Sequence, residues 1–436
     1  MGLIKIDLSQ MLVPAQTDSQ NSSGSFSIKQ DLERFTSDME RGISGFFNLP
    51  ETSSWEREIQ ELQPQLAKRI PAVSSFLHIG IGGSSLGAET IVRSLASAQA
   101  PAFHFIDNID PDALQRSLSQ CDPQQTLVYV VTKSGGTFET LAAFAVVYEW
   151  LEKNLGKDRA RQRLVFCTDP QKGDLRRLAT EWAVPTFEIP SNLGGRFSVL
   201  SAVGLFPAFV AGVDCKAMLK GAAEYRANVL QELKEGRTPE IVDLAYRLLA
   251  HYQGDRGSKR NMTVLMPYSQ NLKVFSAWFT QLWAESLGKA GKGLTPVPAV
   301  GATDQHSILQ LLKEGPQDKV IGFIEVRGFQ NVPEIRWNGP DLPAFRELAG
   351  ITMNQLMDAE FNATRQALSN SQRPLFTITL PRLNAQTLGQ LFFVFETLTA
   401  IAGYGLGIDP FDQPGVEEGK KLTRERIGAC KKNAIT

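Results

Sequence analysis

The chain has 436 residues, of which 42% are hydrophobic, and its formal net charge is −1. This length and apolar content favour two domains with large cores, and the near-zero charge gives no electrostatic reason to expect a nucleic acid or an anionic membrane as a partner. The four cysteines are scattered without a C-x-x-C pair, which argues against a zinc or disulfide framework and indicates a cytoplasmic protein. The longest apolar run, residues 200–213, is too short to span a bilayer.

The amino-terminal segment has three parts. Residues 1–13 resemble a short strand or an arm, and residues 14–27 are rich in Ser, Gln and Asn, a composition typical of a linker. Helical apolar spacing follows at residues 28–43 and 55–68.

From residue 76 onward, apolar strands alternate with helical patterns. The expected strands are 76–81, 103–107, 127–132, 164–168 and 186–189, and the expected helices are 84–98, 110–120, 138–155, 174–182 and 197–211. This alternation predicts a parallel sheet with helices on both faces. Ligands of such sheets bind at the carboxyl ends of the strands, near the point where the strand order reverses.

A second alternation follows a helical stretch at 216–252. The expected strands are 263–266, 320–325 and 375–380, and the expected helices are 272–287, 303–312, 341–368, 385–401 and one from about 415. We therefore predict an α/β fold with two doubly wound parallel-sheet domains, each a three-layer α/β/α unit, and helical extensions at both ends. The predicted boundaries are 1–49 for the amino-terminal extension, 50–212 for the first domain and 213–436 for the second domain with its terminal helix.

The first predicted strand runs into a glycine-rich turn, residues 80–87 (GIGGSSLG). Glycines such as Gly83 omit Cβ atoms where the backbone must approach a ligand. Ser84 lies where the next helix begins, and helix N-termini favour anions. The turn lacks the lysine of a Walker A loop and the acidic partner of a dinucleotide site. It predicts a phosphate site, and the alternative is a tight strand-to-helix connection.

The third predicted strand ends in a second turn of this kind, residues 132–137 (TKSGGT). Thr132, Lys133, Ser134 and Thr137 supply hydrogen-bond donors, and the lysine adds charge. Two such turns at neighbouring strand ends can together hold a phosphate. The alternative interpretation is two helix N-caps and a solvated lysine.

Two further positions suit acid–base chemistry. Arg196, in residues 192–198 (NLGGRFS), can stabilise a developing oxyanion, although an arginine in a structural ion pair is the more common case. Gln281 and Glu285 share one helix face, and Glu285 is a candidate general base. The alternative for Glu285 is a surface ion pair with Lys289, four residues later.

The remaining candidates are weaker on their own. His306 lies in the first turn of a predicted helix, and a lone histidine is more often structural than catalytic. Gln413 and Lys420 lie in residues 411–420 (FDQPGVEEGK), where the alternative is a capped helix with a surface lysine.

Together, these segments resemble the phosphoglucose isomerase family over residues 50–425. The segments that carry the resemblance, in order, are 80–87, 132–137, 194–198 (GGRFS), 285–289 (ESLGK), 303–306 (TDQH) and 411–417 (FDQPGVE) with Lys420. The resemblance implies two sugar isomerase (SIS) domains. It also implies interconversion of D-glucose 6-phosphate and D-fructose 6-phosphate, in glycolysis and gluconeogenesis, by ring opening and a cis-enediolate.

The resemblance also implies residue roles. Glu285 moves the proton between C2 and C1, Arg196 faces the enediolate oxygen, and His306 and Lys420 assist ring opening. The implied substrate-binding residues are Gly83, Ser84, Thr132, Lys133, Ser134, Thr137, Gln281 and Gln413. In the family the histidine comes from the neighbouring subunit, which implies a homodimer. The reaction needs neither a metal nor another cofactor if one base moves the proton. The alternatives are a non-catalytic SIS regulator that binds sugar phosphates and an isomerase of a related hexose phosphate such as mannose 6-phosphate.

Overall fold

A computed structural model of the chain describes residues 2–11, 28–69, 72–254 and 259–433. The predicted linker at 14–27 lies outside these residues. The strands are β1 (Lys5–Asp7), β2 (Ser75–Ile79), β3 (Ala102–Ile106), β4 (Thr126–Thr132), β5 (Leu164–Thr168), β6 (Thr186–Glu188), β7 (Met262–Pro267), β8 (Thr295–Pro298), β9 (Lys319–Gly328) and β10 (Leu375–Arg382). The helices are α1 (Ile28–Glu40), α2 (Leu49–Thr52), α3 (Trp55–Arg69), α4 (Leu86–Leu95), α5 (Pro111–Ser119), α6 (Phe138–Leu155), α7 (Lys157–Gln162), α8 (Asp174–Trp182), α9 (Ala202–Val210), α10 (Cys215–Lys234), α11 (Glu240–Gln253), α12 (Lys273–Leu287), α13 (Leu309–Glu314), α14 (Pro343–Leu348), α15 (Met353–Asn370), α16 (Ala385–Gly405) and α17 (Glu417–Asn433).

The first sheet has the strand order β3-β2-β4-β5-β6, and all its pairs are parallel. The direction of strand succession reverses between β2 and β4, so the carboxyl ends of these two strands form the switch point. Side chains alternate between the two faces, as the period of a strand requires. Leu77 and Val128 pack in a core with Phe144 of α6, whereas Phe76 and Tyr129 enter a second core on the opposite face.

The second sheet has the order β1-β10-β9-β7-β8. Its strands β7 to β10 are parallel, and β1 pairs antiparallel with β10. The predicted α/β class is therefore confirmed, with one correction: the second sheet is mixed, because the amino-terminal strand completes its edge. The predicted domain boundaries at 49/50 and 212/213 stay a prediction.

Two predicted helices are each broken in the structure. The stretch 216–252 becomes α10 and α11, because Gly236 adopts φ +71° and Pro239 precedes α11. The stretch 341–368 becomes α14 and α15. Gly350 adopts φ +88° there, and Thr352 starts α15 with a capping box. In both places a left-handed glycine and a helix-start signal outweigh the continuing apolar spacing.

Strand β8 was missed by the sequence prediction. Its four residues, Thr295–Pro298, include two prolines, which argue against a central strand. The strand lies at the edge of the second sheet, where a missing N–H donor costs little. The proline signal therefore specified the position in the sheet rather than the absence of a strand.

The two sheets share one hydrophobic core. Phe76 of the first sheet and Phe376 of the second belong to the same cluster of buried side chains, in which α16 supplies residues such as Phe392 and Phe395. This core packs the two sheets against each other through α16. None of the described helices, α16 included, combines the length and apolar character needed to cross a bilayer.

Helix α16 carries a buried acid that no neighbour satisfies. Glu396 is 1% exposed, and neither carboxyl oxygen has a hydrogen-bond partner among the described residues. Burial raises the pKa of Glu396 well above its usual range. The part of the free energy of unfolding that depends on Glu396 protonation is therefore fully present below the pKa of the unfolded state, about 4.3. It is lost as the pH rises through the pKa of the folded state.

We expect Glu396→Met to raise the free energy of unfolding at pH 8 by about 1–3 kcal/mol, because the cost of burying an unpartnered polar group disappears. The gain should be smaller at pH 5, where the native acid is protonated in any case. Urea unfolding midpoints at the two pH values measure this difference. Thr397→Val is the matched control, because the Thr397 hydroxyl is also buried and without a partner among the described residues but does not titrate. A Glu396→Met gain that is equal at both pH values would contradict the assigned pKa direction.

Candidate active site

The switch point of the first sheet places the two predicted turns side by side. A 3₁₀ turn, Gly82–Ser84, follows β2, and residues 133–137 connect β4 to α6. Strands β2 and β4 are adjacent and parallel, so both turns emerge at the same edge of the sheet. The structure therefore brings the two turns together as the sequence predicts, although α4 begins at Leu86 rather than at Ser84.

The turn after β2 depends on its glycines for close contacts. Gly82 adopts φ +57°, and a Cβ atom there would lie 2.5 Å from Gln281 Nε2. A Cβ atom on Gly83 would lie 2.4 Å from the carbonyl carbon of Gly195. These distances are too short for any side chain, so glycine allows the turn to touch both α12 and the loop that carries Arg196.

The turn after β4 presents a cluster of three hydroxyl groups. Thr132 Oγ1 lies 2.8 Å from Thr137 Oγ1 and 3.4 Å from Ser134 Oγ. Ser134 Oγ and Thr137 Oγ1 are 3.3 Å apart. Thr137 precedes α6, yet its hydroxyl does not cap the helix. The N-cap alternative therefore does not describe Thr137, whose hydroxyl belongs to a cluster that can donate to an anion.

Lys133 lies beside this cluster, but its ammonium group is turned toward the backbone. Its Nζ atom donates to the carbonyl of Ser191 at 2.8 Å. Burial lowers the pKa of Lys133, and the carboxylate of Asp169 acts in the opposite direction. The lysine thus joins the turn after β4 to the segment that leads to Arg196.

Arg196 is almost fully buried and connects the two halves of the chain. Its Nε atom donates to Ser286 Oγ at 2.7 Å, and one NH2 group donates to the carbonyls of Pro410 and Asp412 at 2.6 and 2.9 Å. Burial lowers the pKa of Arg196 and nearby carboxylates raise it, and a guanidinium remains charged in proteins. The five N–H donors of a guanidinium lie in one rigid plane and can bond several acceptors at once. A lysine cannot make the same set of contacts.

Glu285, on α12, faces Arg196. Its Oε2 atom lies 3.5 Å from Arg196 Nη1, and its Oε1 atom accepts a hydrogen bond from Gln281 Nε2 at 3.1 Å. The alternative pairing with Lys289 is wrong, because Lys289 Nζ pairs with Asp412 at 2.6 Å. The Glu285 side chain is 32% exposed, so the carboxylate is fixed on one side and open to the cavity on the other.

The carboxyl-terminal candidates enter the same region by different routes. Gln413 Oε1 accepts from Arg196 Nη1 at 3.1 Å, which fixes the amide beside Glu285. Lys420 lies on α17 and pairs with Glu417 at 2.7 Å, with its side chain 52% exposed. The Gln413 amide is therefore held in the site by Arg196, whereas Lys420 extends toward the cavity from a solvent-exposed helix.

One cavity of about 500 Å³ joins these groups. The predicted site residues that line it are Gly83, Ser84, Thr132, Lys133, Ser134, Thr137, Arg196, Gln281, Glu285, Gln413 and Lys420. The sequence prediction missed Asp169, Glu139 and Thr140, which also line it. The signal was available, because Asp169 follows β5, the next strand along the edge, and the other two lie in the first turn of α6.

His306 is the one predicted site residue that does not line this cavity. It ends a 3₁₀ turn, Thr303–His306, that follows β8 in the second half of the chain, and its side chain is exposed. Among the described residues of a single chain, no histidine lines the cavity.

The cavity combines two different sets of groups. Hydroxyl groups and helix-start backbone form one set, which suits a phosphate. A carboxylate beside a buried guanidinium forms the other set, in which a base can remove a proton while a cation stabilises the resulting oxyanion. This arrangement suits proton transfer on a small phosphorylated substrate.

Comparisons with known proteins agree with this geometry. The phosphoglucose isomerase family matches the chain over residues 66–434. A glucose-6-phosphate isomerase from Rubrobacter xylanophilus is 44% identical over 396 residues, which cover 88% of this chain and 89% of that relative. The crystal structure of a hypothetical protein from Thermus thermophilus has a TM-score of 0.85 at 33% identity and covers 98% of this chain and 100% of its own. A glucose-6-phosphate isomerase structure from Chlamydia trachomatis has a TM-score of 0.72 at 26% identity and covers 86% and 74%.

Proposed function

The chain belongs to the phosphoglucose isomerase family, and from this membership we propose how its cavity performs the family reaction. It is an aldose–ketose isomerase that interconverts D-glucose 6-phosphate and D-fructose 6-phosphate, a step of glycolysis and gluconeogenesis. The non-catalytic regulator is not favoured, since the curated relatives are isomerases. The observation that carries the mechanism is the 3.5 Å approach of Glu285 to Arg196 in the cavity that also holds the hydroxyl cluster.

The substrate phosphate binds at the two turns. The hydroxyls of Thr132, Ser134 and Thr137 donate to its oxygens, and Ser84 with the backbone of Gly83 completes the contact from the neighbouring turn. Lys133 contributes positive charge. This remote binding energy positions the sugar carbons at Glu285, which converts the proton transfer into an effectively unimolecular step.

Glu285 takes the proton from C2 of the open-chain aldose and returns it to C1. The C2–H electron pair forms the C1–C2 double bond while the π pair of the C1 carbonyl moves to O1, which gives the enediolate. The O2 proton then moves to O1, the O2–H electron pair forms the C2 carbonyl, and the C1–C2 π pair takes the proton that Glu285 returns to C1. Arg196 stabilises the negative oxygen that develops in this step. Gln281 and Gln413 position the sugar, and both are already hydrogen-bonded to the catalytic pair.

Ring opening requires a further acid–base pair, for which we propose Lys420 and a histidine from a second copy of the chain. His306 is exposed and lies outside its own cavity, which supports its use by a neighbouring subunit.

Complementation between two inactive variants tests this arrangement. Glu285→Gln and His306→Ala homodimers should each have low activity in a coupled assay for fructose 6-phosphate. Mixed dimers, formed by co-expression with two different tags, contain one cavity with both Glu285 and an intact histidine from the partner. We expect about half of the wild-type activity per mixed dimer.

The control is a mixed dimer of Glu285→Gln with Arg196→Lys, two changes in the same cavity. If these two residues acted across the interface, one cavity would carry both changes and the other would be intact. Because both act within one chain in the proposal, each cavity carries one change and the mixed dimer should stay inactive. Mixed Glu285→Gln and His306→Ala dimers that remain inactive would contradict the sharing of His306. A fully active monomer would contradict it too.

A cytoplasmic location is part of the same proposal. The four cysteines, Cys121, Cys167, Cys215 and Cys430, are free thiols. Free thiols of this number are typical of a reducing compartment.

A further inference from the structure

His78 lies in β2 directly beneath the turn that follows this strand. Its side chain is fully buried, and its Nε2 atom is 2.6 Å from the carbonyl oxygen of Ser84. A carbonyl oxygen only accepts, so Nε2 carries the proton and the ring donates. Burial lowers the pKa of His78 to about 4, which keeps this neutral donor form at neutral pH.

The turn folds back over the strand to make this contact. A Cβ atom on Gly80 would lie 2.7 Å from the Ser84 carbonyl oxygen, so the oxygen reaches the strand only because Gly80 lacks a side chain. The carbonyl is thus directed into the sheet, while Ser84 itself lines the cavity. The imidazole holds the orientation of the peptide group that ends the turn.

The ring of His78 is itself fixed from two sides. The Phe105 ring lies 5.2 Å from it and the Tyr129 ring 5.5 Å, measured between centroids. The Tyr129 hydroxyl donates to the Ala202 carbonyl at 2.8 Å in the buried interior. A donor that is packed this closely on two sides can hold the turn in one position.

We propose that His78 is a positioning residue for the substrate phosphate, which places Ser84 and the backbone of the turn by donating to the Ser84 carbonyl. The inference rests on the proposed phosphate-binding role of this cavity. It assigns a function to a buried histidine that touches no substrate. Arg196 is held independently by Ser286 and by two carbonyls, so loss of the His78 donor should weaken binding more than it slows the chemical step.

Three variants test the proposal. His78→Phe keeps the aromatic ring and removes the donor, whereas His78→Gln can place an amide nitrogen close to the former Nε2 position. His104→Phe is the matched control, because His104 lies on the adjacent strand β3 and its Nε2 atom has no hydrogen-bond partner among the described residues. The measurements are KM and kcat for fructose 6-phosphate and the dissociation constant of inorganic phosphate.

For His78→Phe we expect roughly a tenfold rise in KM and in the phosphate dissociation constant, as the loss of one well-placed hydrogen bond allows, with kcat within about threefold of wild type. His78→Gln and His104→Phe should stay within about twofold in all three quantities. Unchanged phosphate affinity in His78→Phe would overturn the proposal. An equal loss in His104→Phe would also overturn it, because the effect would then be one of general packing.

One further result separates this inference from the proposed function, and a second pair of variants covers the case in which His78→Phe does not fold. If the wild-type protein binds phosphate but shows no isomerase activity, the function fails while the phosphate measurements still decide the role of His78. If His78→Phe does not fold, His78→Gln is compared with His78→Asn, whose shorter amide cannot reach the Ser84 carbonyl. Weaker phosphate binding in the asparagine variant alone supports the proposal, and equal binding overturns it.

Discussion

Glu285→Gln is expected to lower kcat by about 10³- to 10⁴-fold, because the amide cannot accept the C2 proton. The change is nearly isosteric, and Gln281 and Arg196 remain in place on either side of the side chain. The proposed phosphate contacts are made by other residues, so KM should change by less than about threefold. Initial rates in both directions, together with loss of solvent deuterium incorporation at C2 of the substrate, measure the effect.

Glu325→Gln is the matched control for this change. Glu325 also pairs with an arginine, Arg327, at 3.2 Å, and its side chain is largely buried, but it does not line the cavity. We expect a wild-type rate for this control. Wild-type turnover in Glu285→Gln would contradict the assignment of Glu285 as the general base.

Arg196→Lys is expected to lower kcat by about 10²- to 10³-fold, the loss typical of removing an oxyanion-stabilising donor. A lysine keeps the charge but cannot contact Ser286, the Pro410 carbonyl and Glu285 together. The loop that carries Gln413 would lose its contacts with Arg196 and keep the pairing of Asp412 with Lys289. Steady-state kinetics and the thermal midpoint should be measured on the same sample.

Arg373→Lys separates this catalytic effect from a loss of stability. Arg373 is also a buried arginine that donates to the carbonyls of Lys313 and Gly315 at 2.6 and 2.9 Å, and it does not line the cavity. Both variants should unfold at lower temperature, since both lose buried charge-assisted hydrogen bonds. If Arg373→Lys lost as much kcat as Arg196→Lys, the role assigned to Arg196 would be wrong.

Local signals were sufficient for most of the architecture. The apolar strands and the glycines at residues 80–87 and 132–137 predicted a parallel sheet with two anion-binding turns at its edge, and the structure places both turns there. The breaks at Gly236 and Gly350 were also readable, but apolar periodicity on both sides concealed them. Strand β8 was missed, and its four residues with two prolines carry little strand signal.

The long-range contacts of the site were not predictable from one sequence. The partner of Lys289 is Asp412, more than a hundred residues away, so the nearer Glu285 offered the simpler pairing. The bond from His78 to the Ser84 carbonyl depends on how far the turn folds back, which no residue pattern specifies. The exposure of His306 follows from the placement of the second half of the chain. Spacing along a helix predicts neighbours only within that helix.

The pairing of β1 with β10 has a consequence for biosynthesis. The amide of Ile4 donates to Gln390 Oε1 at 2.9 Å, and β1 aligns with residues 377–379. At translation rates of roughly 5–20 residues per second, the first strand leaves the ribosome about 20–75 seconds before its pairing strand exists. Nascent chains therefore carry an unpaired amino-terminal strand for most of their synthesis, and the second sheet closes only when the polypeptide is nearly complete.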